Sequence, residues 1–145
     1  MTIDTTGQWW KGSDFADLAE YVRRLTADGY PAREILQSMC ACGGTEFRLE
    51  AEPDEGCARR TCAACGASAF IGDSADYWEE VEPEPITCQC GSDRSEIGVG
   101  FSYYQESDDV HWITVGVRCV DCGVLGSPAG WKVDYSPTDH LLRQV

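Results

Sequence analysis

The sequence predicts a small, mainly β protein of the α+β kind. Its parts are an N-terminal helix, two tandem antiparallel β units related by internal duplication, and a short C-terminal helix. Three observations carry this prediction. Residues 13–28, SDFADLAEYVRRLTAD, place apolar side chains at spacings of three and four. Two later stretches alternate apolar and polar residues with period two, each broken by a turn-like segment. Eight of the nine cysteines fall into four close pairs, each followed directly by glycine.

The helix comes first, within an N-terminal segment spanning 1–32. Phe15, Leu18, Val22 and Leu25 form one apolar stripe. Ser13 is suited to cap it, Asp14 and Asp17 suit the positive end of its dipole, and Gly29 and Pro31 end it. Trp9 and Trp10, just upstream, read as packing residues that anchor the helix.

The first β unit spans 33–72. In TEFRLEAE, Phe47, Leu49 and Ala51 alternate with Glu46, Arg48, Glu50 and Glu52, the pattern of a strand with one wet face. PDEG at 53–56 is a turn, and CARRT returns as the second strand. A linker at 73–84 follows. Asp73, Asp76, Glu79, Glu80, Glu82 and Glu84 make it acidic, with no base, so it reads as solvated, although Tyr77 and Trp78 within it call for burial. An acidic, aromatic segment is also a conceivable docking surface.

The second unit, 85–135, repeats the pattern with longer strands. Ile97, Val99, Phe101 and Tyr103 share one face, ESDD turns, and Ile113, Val115 and Val117 alternate on the way back. The final SPTDHLLRQV, 136–145, reads as a short helix with Ser136 at its cap and Pro137 in its first turn. All these pieces are expected to form one compact domain.

The cysteines organise the rest. Cys40-x-Cys42 and Cys62-x-x-Cys65 flank the first hairpin; Cys88-x-Cys90 and Cys119-x-x-Cys122 flank the second. Cys62 and Cys119 stand farther apart along the chain than Cys40 and Cys88, so the extra length of the second unit lies in its hairpin. A fainter echo links ADYW at 75–78 to VDYS at 133–136. Such self-similarity is the mark of a duplicated unit. Two close pairs joined by a hairpin-sized insert match a structural zinc site, in which four thiolates surround the ion tetrahedrally at about 2.3 Å. The following glycines permit the positive φ that turns backbone N–H groups toward sulfur. The C-x-C pairs depart from the commoner C-x-x-C. Residues i and i+2 of an extended chain still project to one side, so both sulfurs reach one metal, with fewer N–H groups to soften the charge.

With these motifs, residues 33–72 and 85–126 resemble the zinc-ribbon superfamily, in which two knuckles are held by short hairpins. The resemblance implies Cys40, Cys42, Cys62 and Cys65 as ligands of one structural Zn²⁺, and Cys88, Cys90, Cys119 and Cys122 as ligands of a second. Arg60, Arg94 and Arg118, together with Arg59, stand near cysteines in sequence and are candidates to offset the thiolate charge. Redox dithiols and buried free thiols are the competing readings of the pairs. Cys57, without a counterpart, reads as a small semi-buried residue, with a spare-ligand or oxidation-sensing role as the alternative.

No enzyme signature accompanies the cysteines. A Cys₄ zinc lacks the open position that catalysis needs. The two histidines, His111 and His140, start no H-x-E motif, and no G-x-S-x-G or P-loop occurs. A net charge of −14 opposes contact with phosphate backbones. It fits either plain solubility or a basic partner. The N-terminus carries no secretory pattern and no stretch approaches a membrane span, so a cytoplasmic location is expected, where thiols stay reduced. The expected function is that of a non-catalytic interaction module with a protein partner, and an inhibitor role fits it. The alternatives are a transcription- or translation-associated factor contacting nucleic acid, and a zinc- or redox-responsive regulator.

Overall fold

The structure, a computed structural model, describes residues 3, 10–52, 56–105, 107, 109–133 and 138–145. Among these residues one α-helix, α1 (Phe15–Thr26), precedes eight strands: β1 (Glu34–Gln37), β2 (Phe47–Glu52), β3 (Cys57–Cys62), β4 (Ser68–Phe70), β5 (Glu84–Pro85), β6 (Arg94–Tyr103), β7 (Val110–Cys119) and β8 (Leu125–Lys132). All pair antiparallel in one sheet of order β4-β3-β2-β6-β7-β8, with β1 added to β6 and β5 to β2.

The helix begins one residue later than Ser13 predicts. Asp14 is the cap, its carboxylate accepting from the Asp17 N–H at 3.1 Å, while the Asp17 carboxylate reaches back to the Ser13 N–H at 2.8 Å. Leu18 and Val22 are fully buried, but Leu25 is half exposed and borders a surface cavity beside Tyr30 and Trp112. Thr26 is buried instead: its Oγ1 donates to the Val22 carbonyl at 2.8 Å and accepts from the Ala32 N–H at 3.0 Å, which fastens the turn after the helix. Trp10 packs edge-on against Tyr21 as an anchor; Trp9 lies outside the described residues.

The helix lies on a floor of glycines. A Cβ on Gly116 would fall 2.6 Å from Val22 Cγ2, and one on Gly100 would fall 2.9 Å from Val22 Cγ1. Side chains here would hold the helix away from β6 and β7. The opposite face of the same strands, carrying Ile97, Val99, Phe101, Ile113 and Val115, enters the main core with Phe47, Leu49 and Ala51 of β2. The long hairpin is therefore buried on both sides, whereas β2 keeps Arg48 exposed as alternation requires.

The two cysteine-bearing units exchange strands. β1, which leads into the first C-x-C pair, lies on β6 of the second unit; β5, which leads into the second C-x-C pair, lies on β2 of the first. The registers correspond at the cysteine spacings. Gln37 faces Gly98. The Cys40-to-Cys88 offset carries Gln37 onto Pro85 and Glu50 onto Gly98, and Pro85 faces Glu50. Phe47 faces Cys62 in the first hairpin and Ser95 faces Cys119 in the second. Arg60 faces Ala69, and the Cys62-to-Cys119 offset carries this pair onto Val117 and Gly126, which also face each other.

The sheet curls until β8 meets β3. Gly56, at φ +80°, leaves so little room that an added Cβ would sit 2.4 Å from Trp131 Cβ. The Trp131 indole N–H donates to Asp73 Oδ1 at 3.0 Å inside this closure. Asp73 is thus buried, unlike the solvated acid expected at the start of the linker. Two 3₁₀ turns, Ser74–Asp76 and Trp78–Glu80, follow within the acidic stretch, and its last residue, Glu84, enters β5. Trp78 packs edge-on to Phe70 under the Arg59 guanidinium, but Tyr77 stays 44% exposed.

At the C-terminal end, where a short capped helix is expected, Asp139–Arg143 forms a 3₁₀ helix without a side-chain cap. Leu141 is buried in the core, and the carbonyls of Gln144 and Val145 accept from the Gly72 N–H and Arg60 Nε. The proposed cap at Ser136 and Pro137, most of VDYS, three residues of PDEG, and Glu106 and Asp108 of ESDD lie outside the described residues.

Candidate metal centres

Each half of the sheet brings four sulfurs together. Cys40, Cys42, Cys62 and Cys65 lie with all Sγ atoms within 4.8 Å of one another, and so do Cys88, Cys90, Cys119 and Cys122. The Cys40 and Cys65 sulfurs lie 3.5 Å apart and those of Cys42 and Cys62 3.6 Å apart. In the second cluster Cys88 and Cys122 are 3.4 Å apart and Cys90 and Cys119 3.6 Å. Four thiolates held at about 2.3 Å from one ion have edges of about 3.8 Å. The spacing and the soft, all-sulfur donor set fit a metal ion in each cluster, consistent with a zinc-ribbon-like motif.

The local chain explains the convergence. In each C-x-C knuckle the first cysteine opens a tight turn: Gly43 N–H donates to the Cys40 carbonyl at 2.8 Å, and Gly91 N–H to that of Cys88 at 2.9 Å. In each C-x-x-C knuckle, Gly66 N–H donates to the Cys62 carbonyl and Gly123 N–H to that of Cys119, both at 2.9 Å. The four glycines have φ of +90°, +93°, +79° and +81°, the left-handed region expected of them. Gly44 adds a requirement that spacing did not reveal. A Cβ there would lie 2.9 Å from Cys62 Sγ and 3.4 Å from Cys42 Sγ, so the backbone approaches the sulfurs closely.

The two knuckle types solvate sulfur unequally. Cys62 accepts from the backbone N–H groups of Cys65 and Ala64, which outweigh burial and lower its pKa to about 6. At Cys119 burial opposes ionisation, yet the N–H groups of Cys122 and Asp121 and the neighbouring sulfurs bring it to about 7. Cys42 receives only the Gly44 N–H, and the sulfurs of Cys40, Cys62 and Cys65 push it up to about 12. Cys88 is raised to about 12 by burial and by the other sulfurs, against the single N–H of Cys90. Cys62 and Cys119, the first members of the C-x-x-C pairs, thus each accept from two N–H groups, whereas Cys42 and Cys88 of the C-x-C pairs, and Cys122, accept from one each.

The arginines divide. The Arg60 guanidinium lies over the Phe47 ring at 4.6 Å and interacts electrostatically with Cys40 and Cys62, while burial lowers its own pKa. Arg94 is engaged by Glu46 and Asp121, and Arg118 by Glu96, with Nε 2.7 Å from the carboxylate. Arg59 pairs with Glu50. Cys57 is fully buried, its thiol 4.0 Å from the Ser74 carbonyl and outside both clusters. His111 stacks on Tyr104 at 4.2 Å, in an aromatic group that also holds Tyr30 and Trp112. No helix among the described residues is long and apolar enough to cross a membrane. No family model, curated protein or solved structure matches this chain.

Proposed function

We propose that this chain is a non-catalytic, structural-zinc protein that presents its acidic surface to a basic protein partner. The observation that carries the metal assignment is the pair of Cys₄ clusters, each with all its sulfurs within 4.8 Å of one another. Zinc is the divalent ion that takes four thiolates tetrahedrally without a redox cost, in a reducing cytoplasm where such thiols persist. Each ion ties a hairpin to the strand that precedes it, and the strand exchange makes each unit depend on the other. The matching registers support descent of the two halves from one duplicated unit. Closed Cys₄ sites leave no coordination position for substrate, which supports a role in binding rather than catalysis. The net charge of −14 favours a basic partner and disfavours phosphate backbones.

Elemental analysis of protein purified without added metal tests the core of this reading. Two zinc ions per chain are expected, one in Cys62→Ser or Cys119→Ser, and none in the double variant. One or no ion in the unaltered protein overturns it. A mobility-shift assay with nucleic acid at low salt is expected to be negative.

A further inference from the structure

Apart from the metal clusters, the chain carries a second organised group of side chains, at the end of the β6–β7 hairpin farther from the cysteines. Tyr30 stacks on Trp112 with centroids 5.4 Å apart and meets His111 edge-on at 4.4 Å; His111 in turn stacks on Tyr104 at 4.2 Å. Tyr30, Tyr103, Tyr104 and His111, with Pro31, wall a cavity of about 480 Å³. These groups are tethered. Ser102 Oγ donates to the Tyr30 carbonyl, the Tyr104 hydroxyl donates to the Val133 carbonyl at 2.9 Å, and the Tyr103 hydroxyl donates to Glu34 at 3.0 Å. Yet Tyr30 remains 47% exposed. Fixed rings left open to solvent lose little freedom on accepting a ligand.

The chemistry of the walls selects a cation. Aromatic faces are electron-rich and attract guanidinium, and the Arg33 guanidinium already lies 3.8 Å from the Tyr103 centroid at this wall. Arg24 over Trp10, Arg59 over Trp78 and Arg60 over Phe47 repeat the arrangement elsewhere. Four such contacts exceed the roughly one per 70–80 residues usual in proteins. At Tyr103 the Glu34 carboxylate balances the Arg33 guanidinium, and the overall charge of −14 complements a positive ligand. We propose that the Tyr30–Tyr103–Tyr104–His111 cavity receives an arginine side chain from a basic partner, an inference that rests on the basic-partner reading and gives it a location.

The test compares two peptides at physiological ionic strength, Gly-Arg-Gly-Arg-Gly-Arg and Gly-Lys-Gly-Lys-Gly-Lys, titrated by calorimetry into the zinc-loaded chain. Charge attraction alone treats them alike, whereas stacking of a planar guanidinium on aromatic faces favours arginine. The arginine peptide is expected to bind about fivefold more tightly, the preference disappearing in Tyr30→Ala and in Tyr104→Ala. In the unaltered protein, the His111 and Trp112 side-chain NMR signals should shift with the arginine peptide, a readout that needs no variant to fold. Equal affinities overturn the cavity assignment and leave the basic partner standing. Binding of neither peptide overturns both. An arginine preference with unmoved His111 signals places the guanidinium elsewhere and overturns the proposal.

Discussion

Phe47 and Ser95 face each other across the junction of β2 and β6, and their separation along the chain equals that of Cys40 and Cys88. Corresponding positions of the two units therefore meet at one point, and the other ladders correspond about it. Phe47 fills its side of the junction from the core, fully buried under Arg60. Ser95 leaves its side open, and it borders a cavity of about 440 Å³ shared with Val117 and Cys119 beside the second metal cluster. The two halves have the same backbone pairing and different packing.

Strand exchange makes the halves interdependent. β1 pairs with β6 and β5 with β2, so a chain divided in the bend between Glu80 and Val81 leaves each fragment without a strand neighbour it needs. Fragments 1–80 and 81–145, co-expressed, are expected to purify together in a 1:1 complex with two zinc ions. Each expressed alone is expected to aggregate, since exposed sheet edges pair promiscuously. Soluble, separately zinc-loaded fragments would show that the exchange contributes little.

Much of this architecture is legible in the sequence, and the parts that are not have physical reasons. Phe47, Leu49 and Ala51 announce β2 because one face of that strand is wet, so alternation survives. β1 and β5 are four and two residues long and gain their identity from partners in the other unit, which local pattern does not carry. Gly98, Gly100 and Gly116 carry no side chain to announce a contact, yet they are the helix's seat. Asp73 reads as solvated because its partner, the Trp131 indole, lies 58 positions away. The cysteine clusters are legible because the spacing is local within each pair, and the glycine after each pair states its backbone conformation.

The helix seat can be tested by filling it. A methyl at Gly116 would lie 2.6 Å from Val22 Cγ2, well inside contact distance, so the helix or strand must shift. Gly116→Ala is expected to destabilise the chain by about 1–3 kcal/mol in denaturant melts. Val22→Ala removes the opposing methyls and leaves a cavity of its own, costing about 0.5–2 kcal/mol. Combined, the two changes are expected to cost less than the sum of the single effects. Simple additivity would mean that the residues are not in contact.

The Trp131–Asp73 hydrogen bond joins two buried side chains where the sheet closes. Asp73→Leu strands the indole N–H and is expected to cost about 1–3 kcal/mol. Asp73→Asn keeps an acceptor oxygen and should recover most of the loss. An Asp73→Leu variant as stable as the parent, measured by thermal unfolding with zinc content matched, would remove this contact from the account.

The knuckle glycines make a graded prediction. At Gly43, Gly66 and Gly91 an added Cβ meets nothing within 4 Å, so alanine there adds only the strain of a left-handed backbone, about 1–2 kcal/mol. At Gly123 the same Cβ would also strike the Gly12 carbonyl oxygen at 2.7 Å, in the segment whose N–H donates to the Gly123 carbonyl. Gly123→Ala should therefore cost more than the other three. Asparagine, which tolerates positive φ, should be milder than alanine at Gly43, Gly66 and Gly91 and no better at Gly123. Metal retention against a competing chelator is the readout, because a strained knuckle turns its N–H groups away from sulfur. Four equal alanine effects would show that the contact with Gly12 yields freely and that backbone conformation alone governs these turns.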